Sequence, residues 1–257
     1  MKRCKSSITQ DKLETALESD MLYLKLPFIN DHYKTIADEA AAKHWSHIEY
    51  LERLIQGETE QRRDRATKRR ITAAHFPVIK THDNFRWTWP KKINRLQVQN
   101  LFRLSFINDN SNVILLGSVG LGKTHLATAL GYVACLSGYH VLFATAIDVI
   151  NSLCAAKAAQ RLQGELKKYI KPSLLILDEL GYLPIDKAGS DLLFQVISHR
   201  YERGSLIITS NRVFKEWPKI FNNDSTLTSA ILDRLLHHAE TVVIEGKSYR
   251  MKDRIEA

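Results

Sequence analysis

From Asp11 to about Arg70 the apolar positions recur at the spacing of one helix face: Leu13, Ala16, Leu17 and Met21 first, then Ile48, Leu51, Leu54 and Ile55. No glycine interrupts this region before Gly57. A 3.6-residue period of this kind predicts amphipathic helices, and Pro27 separates the first from the next. A small helical core is the simplest use of these stripes, and a partner surface on the same helices stays compatible with them. From Ala73 to Trp89 the periodicity is lost and prolines appear at 77 and 90, which reads as a linker. Beyond Asn112 the rhythm changes to short apolar runs alternating with helical patterns. Val113–Leu116, His140–Thr145, Leu174–Leu177, Leu206–Thr209 and Thr241–Ile244 read as strands. Helical stretches fall between them at Thr124–Ser137, twice before Lys171, at Ala188–Arg203 and at Thr228–Leu236. Buried strands alternating with helices predict an α/β fold, a five-stranded parallel sheet covered on both faces. The expected organisation is a helical domain over 1–72, a linker over 73–111 and an α/β core over 112–257.

Composition changes this picture in one respect. The 257 residues carry a net charge of +9 and a pI near 9.4, which suggests a polyanionic partner. Arg62, Arg63, Arg65, Lys68, Arg69 and Arg70 form a cluster diluted only by Asp64, with Lys91, Lys92 and Arg95 further on. Such a run is either a solvated helix face or a row of phosphate contacts. The longest apolar runs are too short to cross a bilayer. The basic start Met1-Lys2-Arg3-Cys4-Lys5 leads into a polar, acidic stretch unlike a secretory signal, so the expected location is cytoplasmic, without a membrane partner. Cys4, Cys135 and Cys154 show no paired spacing, and the last two fit as small buried thiols. His237-His238 on a helix would send its rings apart, so no structural metal is expected.

The chemistry begins at Gly117-Ser118-Val119-Gly120-Leu121-Gly122-Lys123-Thr124, between a predicted strand and a predicted helix. Glycines at this spacing let successive backbone N–H groups turn inward on phosphate oxygens, and the following helix presents its positive end to the same charge. Lys123 is placed to neutralise the β- and γ-phosphates of ATP, and the Thr124 hydroxyl to ligate Mg²⁺. Leu174-Leu175-Ile176-Leu177-Asp178-Glu179 buries a strand and releases two carboxylates at its end, where open α/β sheets bind ligands. Asp178 is assigned to Mg²⁺ through water and Glu179 to the attacking water. A solvated turn would also carry two such residues, but the phosphate loop upstream favours the site. Asn211 ends a further strand. It faces the γ-phosphate if that strand lies between the other two, and is otherwise a turn or cap residue.

The ordered set resembles the AAA+ ATPases of the IstB and DnaC type. The residues that carry the likeness are the phosphate loop with Thr124-His125-Leu126-Ala127 and Leu177-Asp178-Glu179-Leu180-Gly181-Tyr182. Further ones are Leu193-Phe194-Gln195, Arg200-Tyr201-Glu202-Arg203, Thr209-Ser210-Asn211, Trp217, Asp233-Arg234-Leu235-Leu236-His237-His238 and Gly246-Lys247-Ser248-Tyr249-Arg250. The helical N-terminal layout and Ala73-Ala74-His75-Phe76-Pro77 are closer to IstB, the helper encoded beside the transposase in bacterial insertion sequences. The resemblance implies an ATPase that uses ATP and Mg²⁺ and assembles with itself on double-stranded DNA. It also implies recruitment or activation of a cognate transposase. It adds His125 and Arg250 to the nucleotide-contacting residues and makes Arg234 the arginine that completes a neighbour's site. The alternative is a loader of a replicative helicase, which shares the ATPase core. After Gly246 only Lys247 to Ala257 remain, so no separate C-terminal lid is expected. A small-molecule kinase, a sequence-specific regulator and a non-catalytic scaffold fit less well, the last because a pure binding switch has no need of Glu179.

Overall fold

The computed structural model describes Lys2 to Met251, with side chains from Lys12 onward; Cys4 lies outside the described side chains. The chain divides into two compact units, one up to Lys68 and one from Arg69.

The first unit holds α1 (Lys2–Tyr23), α2 (Pro27–Lys43) and most of α3 (His47–Ala73). Pro27 occupies the first turn of α2, where its missing N–H costs nothing. Leu26 before it offers no side-chain cap, and α3 supplies the cap instead. Glu58, buried, accepts from Phe28 N at 2.9 Å and Ile29 N at 3.4 Å. Met21, Ile29, Ile36 and Leu54 form the core. This corrects the expectation that both apolar stripes are core. Only Met21 and Leu54 of those stripes are buried, while Leu13, Leu17, Leu51, Ile55 and Ile48 (79 % exposed) face outward. Few helices give few neighbours, so each buries a narrow line of positions and leaves the rest of its stripe uncovered.

The second unit begins with irregular chain, then α4 (Arg95–Leu101) and α5 (Ser105–Asn108). It continues as β1 (Asn112–Gly117), α6 (Lys123–Leu136), β2 (Val141–Thr145), α7 (Ala146–Ala158), α8 (Leu162–Ile170) and β3 (Leu174–Leu180). After α9 (Lys187–Arg200) and β4 (Ser205–Ser210) come a 3₁₀ turn at Phe214–Lys219, α10 (Ser225–Leu236) and β5 (Ala239–Ile244). All strand pairs are parallel, in the order β2-β3-β4-β1-β5. Helix starts are fixed locally: Asn94, Thr145, Asp186 and Asp224 each accept a backbone N–H three residues on, as N-caps do. Both faces of the sheet carry a buried cluster, one around α7, α9 and α10 and one around α6. Among the described residues a 3₁₀ turn at Tyr249–Met251 is the only element after β5.

Two expectations change here. The boundary falls at Lys68 rather than 72, and the segment 73–111 is part of the second unit's core. Ala74, Phe85, Val98, Leu101, Leu104, Phe106 and Ile107 are all buried on the α6 side. The Ala74 carbonyl also accepts from Phe143 N at 2.8 Å, which satisfies a donor on the edge strand β2. The segment lacks periodicity because its apolar side chains cover the sheet from irregular backbone.

A further finding is Arg200, 1 % exposed and, among the described residues, without a carboxylate partner. Its Nη1 donates to the carbonyls of Tyr169, Ile170 and Pro172, and its Nη2 to those of Ser173 and Ser205, at 2.7 to 3.1 Å. It thereby joins the end of α8 to the starts of β3 and β4. Burial pushes the guanidinium down to about 10, and it remains a cation at neutral pH.

Candidate nucleotide-binding site

The strand order puts β4 between β3 and β1, so three carboxyl ends meet along one edge. β1 ends at Gly117, and the loop turns into α6 through Gly122, whose φ of +87° suits glycine. A Cβ there would also lie 2.7 Å from Phe85 Cε2. Lys123 folds back over the loop, donating to the carbonyls of Gly117 at 2.7 Å and Ser118 at 2.9 Å. Burial lowers its pKa, against the pull of Asp178 and Glu179, and Arg250 lowers it further.

Behind the loop, Thr124 Oγ1 donates to Asp178, 3.0 Å from both carboxylate oxygens. An all-oxygen pair at this position suits a hard divalent cation such as Mg²⁺. Asp178 is buried, and its Oδ1 also accepts from Thr209 Oγ1 at 2.6 Å. The register between β3 and β4 breaks after Leu177 and resumes at Leu180. Inside that break Glu179 is exposed, at φ +60°. A non-glycine residue held there costs on the order of 1–3 kcal/mol, and such strain persists only where neighbours enforce it.

These residues border a cavity of about 610 Å³, within the range of nucleotide-sized sites. Of the sequence candidates, Val119, Gly120, Leu121, Gly122, Lys123, Thr124, His125, Glu179, Asn211 and Arg250 line it. Gly117 and Ser118 stand behind Lys123, and Asp178 behind Thr124. His125 Nε2 lies 3.0 Å from the Thr81 carbonyl, and burial lowers its pKa; the neutral ring donates to that oxygen. Arg250 is brought in by its own segment. Tyr249 N donates to the Gly120 carbonyl at 2.9 Å, and Trp89 Nε1 to that of Lys247 at 2.9 Å.

Sequence reasoning did not assign Lys80, Trp89, Pro90 or Tyr249, which also line the cavity, and placed adenine contacts only loosely around His82–Trp87. Phe85 and Arg86 of that stretch line it, whereas the His82 and Trp87 rings sit 5.4 Å from each other. Lys80, Arg86, Lys123 and Arg250 make the wall cationic. The clustering of basic and aromatic residues between 80 and 91 was the available clue, hidden by the reading of that stretch as linker.

Arg234 does not line this cavity. Its guanidinium stacks over the Phe194 ring at 4.9 Å and donates to the Ala230 carbonyl at 2.9 Å. The basic cluster is unevenly occupied. Arg62 and Arg65 lean on Glu58, at 2.9 and 3.8 Å, and Arg70 Nε donates to the Cys135 carbonyl at 2.9 Å. Arg63, Lys68 and Arg69 are exposed. The expectation that the His237 and His238 rings diverge is corrected: their centroids are 4.0 Å apart, with Glu202 Oε1 at 3.9 and 3.7 Å. α10 ends at Leu236 with His237 still in helical conformation, and His238 is the last residue before β5.

A phosphate loop, a carboxylate pair and a polar strand tip along one edge of a β2-β3-β4-β1-β5 sheet define a P-loop fold of the AAA+ type. The family model described as IstB-like ATP binding protein matches residues 19–257. A Pseudomonas aeruginosa protein named for insertion sequence IS21 and for ATP binding is 40 % identical over 94 % of this chain and 91 % of its own length. A Geobacillus stearothermophilus protein named likewise for IS5376 is 38 % identical over 90 % of this chain and 92 % of its own. The crystal structure of the DnaC helicase loader superposes with a TM-score of 0.52 at 22 % identity, covering 69 % of this chain and 99 % of that one, which shows the shared fold. The chain belongs to the IstB-like ATP binding protein family.

Proposed function

We propose that this protein is an ATP-hydrolysing helper of DNA transposition that assembles on double-stranded DNA and recruits or activates a partner transposase. The observation that carries the hydrolytic reading is the convergence of Lys123, Thr124, Glu179 and Asn211 on one cavity, with Asp178 locked behind Thr124. The backbone of Gly120 to Lys123 cradles the phosphates, and Lys123 leaves its loop carbonyls to neutralise them. Thr124 and Asp178 would hold Mg²⁺, and the charge it supplies there would offset the negative charge of the phosphates. Glu179 and Asn211 orient the attacking water at the open face of the cavity. Arg250 reaches the phosphates from within the same chain. Arg234, off the cavity and half-buried in the last turn of α10, is suited to a neighbouring subunit's site.

The DNA assignment rests on the net charge, on the exposed Arg63 and Arg69, and on the insertion-sequence names of the relatives. Arg62, Arg65 and Arg70 keep part of their charge for structural bonds, so they contribute less. Imaging the protein on duplex DNA with a slowly hydrolysed ATP analogue, beside a salt titration of binding, tests assembly and DNA type together. Nucleotide-dependent oligomers on duplex, with affinity falling steeply as salt rises, are expected. Preference for single strands and capture of a replicative helicase in place of a transposase would instead indicate a helicase loader. Glu179→Gln should bind ATP and stay on DNA without hydrolysis; undiminished turnover would refute the role of Glu179.

A further inference from the structure

We infer that Thr209, a buried residue on β4, is a positioning residue that sets both acidic groups of the site through one hydroxyl. The inference rests on the hydrolytic reading above and deepens it. Thr209 is 1 % exposed and borders the nucleotide cavity. The Oγ1 proton goes to Asp178 Oδ1 at 2.6 Å, and the same oxygen accepts the Glu179 backbone N–H at 2.9 Å. A threonine hydroxyl has one proton to give and two lone pairs to receive, so both bonds form at once.

The two bonds have different consequences. The first fixes the Asp178 carboxylate at Oδ1, in addition to Thr124, whose Oγ1 is 3.0 Å from each of its oxygens. Between the two hydroxyls the carboxylate cannot rotate freely, so its orientation toward a cation is set before one arrives. The second bond holds the chain where the strand register breaks between Leu177 and Leu180 and Glu179 takes its left-handed conformation. In a regular ladder the Glu179 N–H would pair with β4 backbone. The Thr209 hydroxyl replaces that acceptor, so the bulge persists and the Glu179 side chain turns out to the cavity. Asp178 and Glu179 are thus presented as a coordinated pair, one to the metal and one to the water, by one buried hydroxyl.

Valine has the shape of threonine without the hydroxyl, and serine keeps the hydroxyl without the methyl. Thr209→Val is expected to leave metal-free ATP affinity unchanged. Manganese affinity of the nucleotide complex and kcat should each fall about 10- to 100-fold, the range for lost outer-shell partners of a metal site. Thr209→Ser should recover both to within about threefold of the parent, the hydroxyl being the group that orients the ligand. Amide hydrogen exchange over 178–182, read without nucleotide, should quicken in the valine variant and not in the serine variant. Manganese affinity and exchange in the valine variant equal to the parent's would overturn the inference. So would a serine variant as impaired as valine, which would make the methyl packing decisive. If the parent shows no hydrolysis that depends on Glu179, the hydrolytic reading fails, while the manganese and exchange measurements still decide the part played by Thr209.

Discussion

Replacing Arg200 by methionine keeps the length and apolar stem of the side chain and removes the guanidinium. Five carbonyls then lose a donor. Ser173 O keeps the bond from Ser205 N at 3.1 Å, and Ser205 O lies in the parallel β3–β4 ladder opposite Leu174, so their losses are smaller. The carbonyls of Tyr169, Ile170 and Pro172 stand at the end of α8, where a stranded buried acceptor costs about 1–3 kcal/mol, or roughly 3–9 kcal/mol for the three. Removing a buried charge returns several kcal/mol of desolvation. The balance of these opposing contributions is a destabilisation of about 3–5 kcal/mol. For a unit of this size each kcal/mol moves Tm by roughly 2–4 °C, so a drop of roughly 6–20 °C is expected. Thermal unfolding followed by far-ultraviolet circular dichroism, with a urea titration beside it, measures the effect. Arg200→Lys should fall between parent and methionine, since an ammonium has three donors and no planar fork. A methionine variant within about 0.5 kcal/mol of the parent would refute the reasoning, because that is the scale of an ordinary surface substitution. It would mean that water or a shift of α8 satisfies the carbonyls.

Burial holds Lys123 below the ordinary lysine value of 10.5, so its charge is full at low pH and lost as pH rises through the lowered pKa. Affinity for a fluorescent ATP analogue should therefore decline at a pH where an unperturbed lysine would still be charged, and Lys123→Gln should bind weakly without that decline. Gly122→Ala should abolish measurable nucleotide binding, because it places a side chain at φ +87° and a Cβ 2.7 Å from Phe85; equilibrium titration with the same analogue decides it. Glu58→Ala should destabilise the helical unit by about 1–2 kcal/mol, the usual scale for losing a helix N-cap, as read by urea unfolding. Cys135, buried and with its thiol pushed up to about 11 by that burial, should react with a thiol reagent far more slowly than the half-buried Cys154.

Much of this architecture is written in local pattern. Short apolar runs between helical stretches specify buried parallel strands, because both faces of such a strand must be covered. The phosphate loop is equally local, since Gly120, Gly122, Lys123 and Thr124 act through the backbone they themselves form. Asp178, Glu179 and Asn211 were recognisable because strand ends are where such sheets bind ligands. What remained hidden depends on neighbours distant in the chain. Strand order alone puts β4 between β3 and β1, and with it Asn211 at the cavity and Thr209 against Asp178. Arg200 reads in sequence as one more charge on a helix, yet it is buried because carbonyls from three other segments converge on it. The stretch from 73 to 111 lacks a period because irregular chain can cover a sheet as well as a helix can. The stripes of α1 and α3 are only partly core because the count of neighbouring helices, not the period, sets how much of a face is buried. Periodicity and spacing report what a segment asks of its surroundings; pairing and packing across the chain decide which of those demands are met.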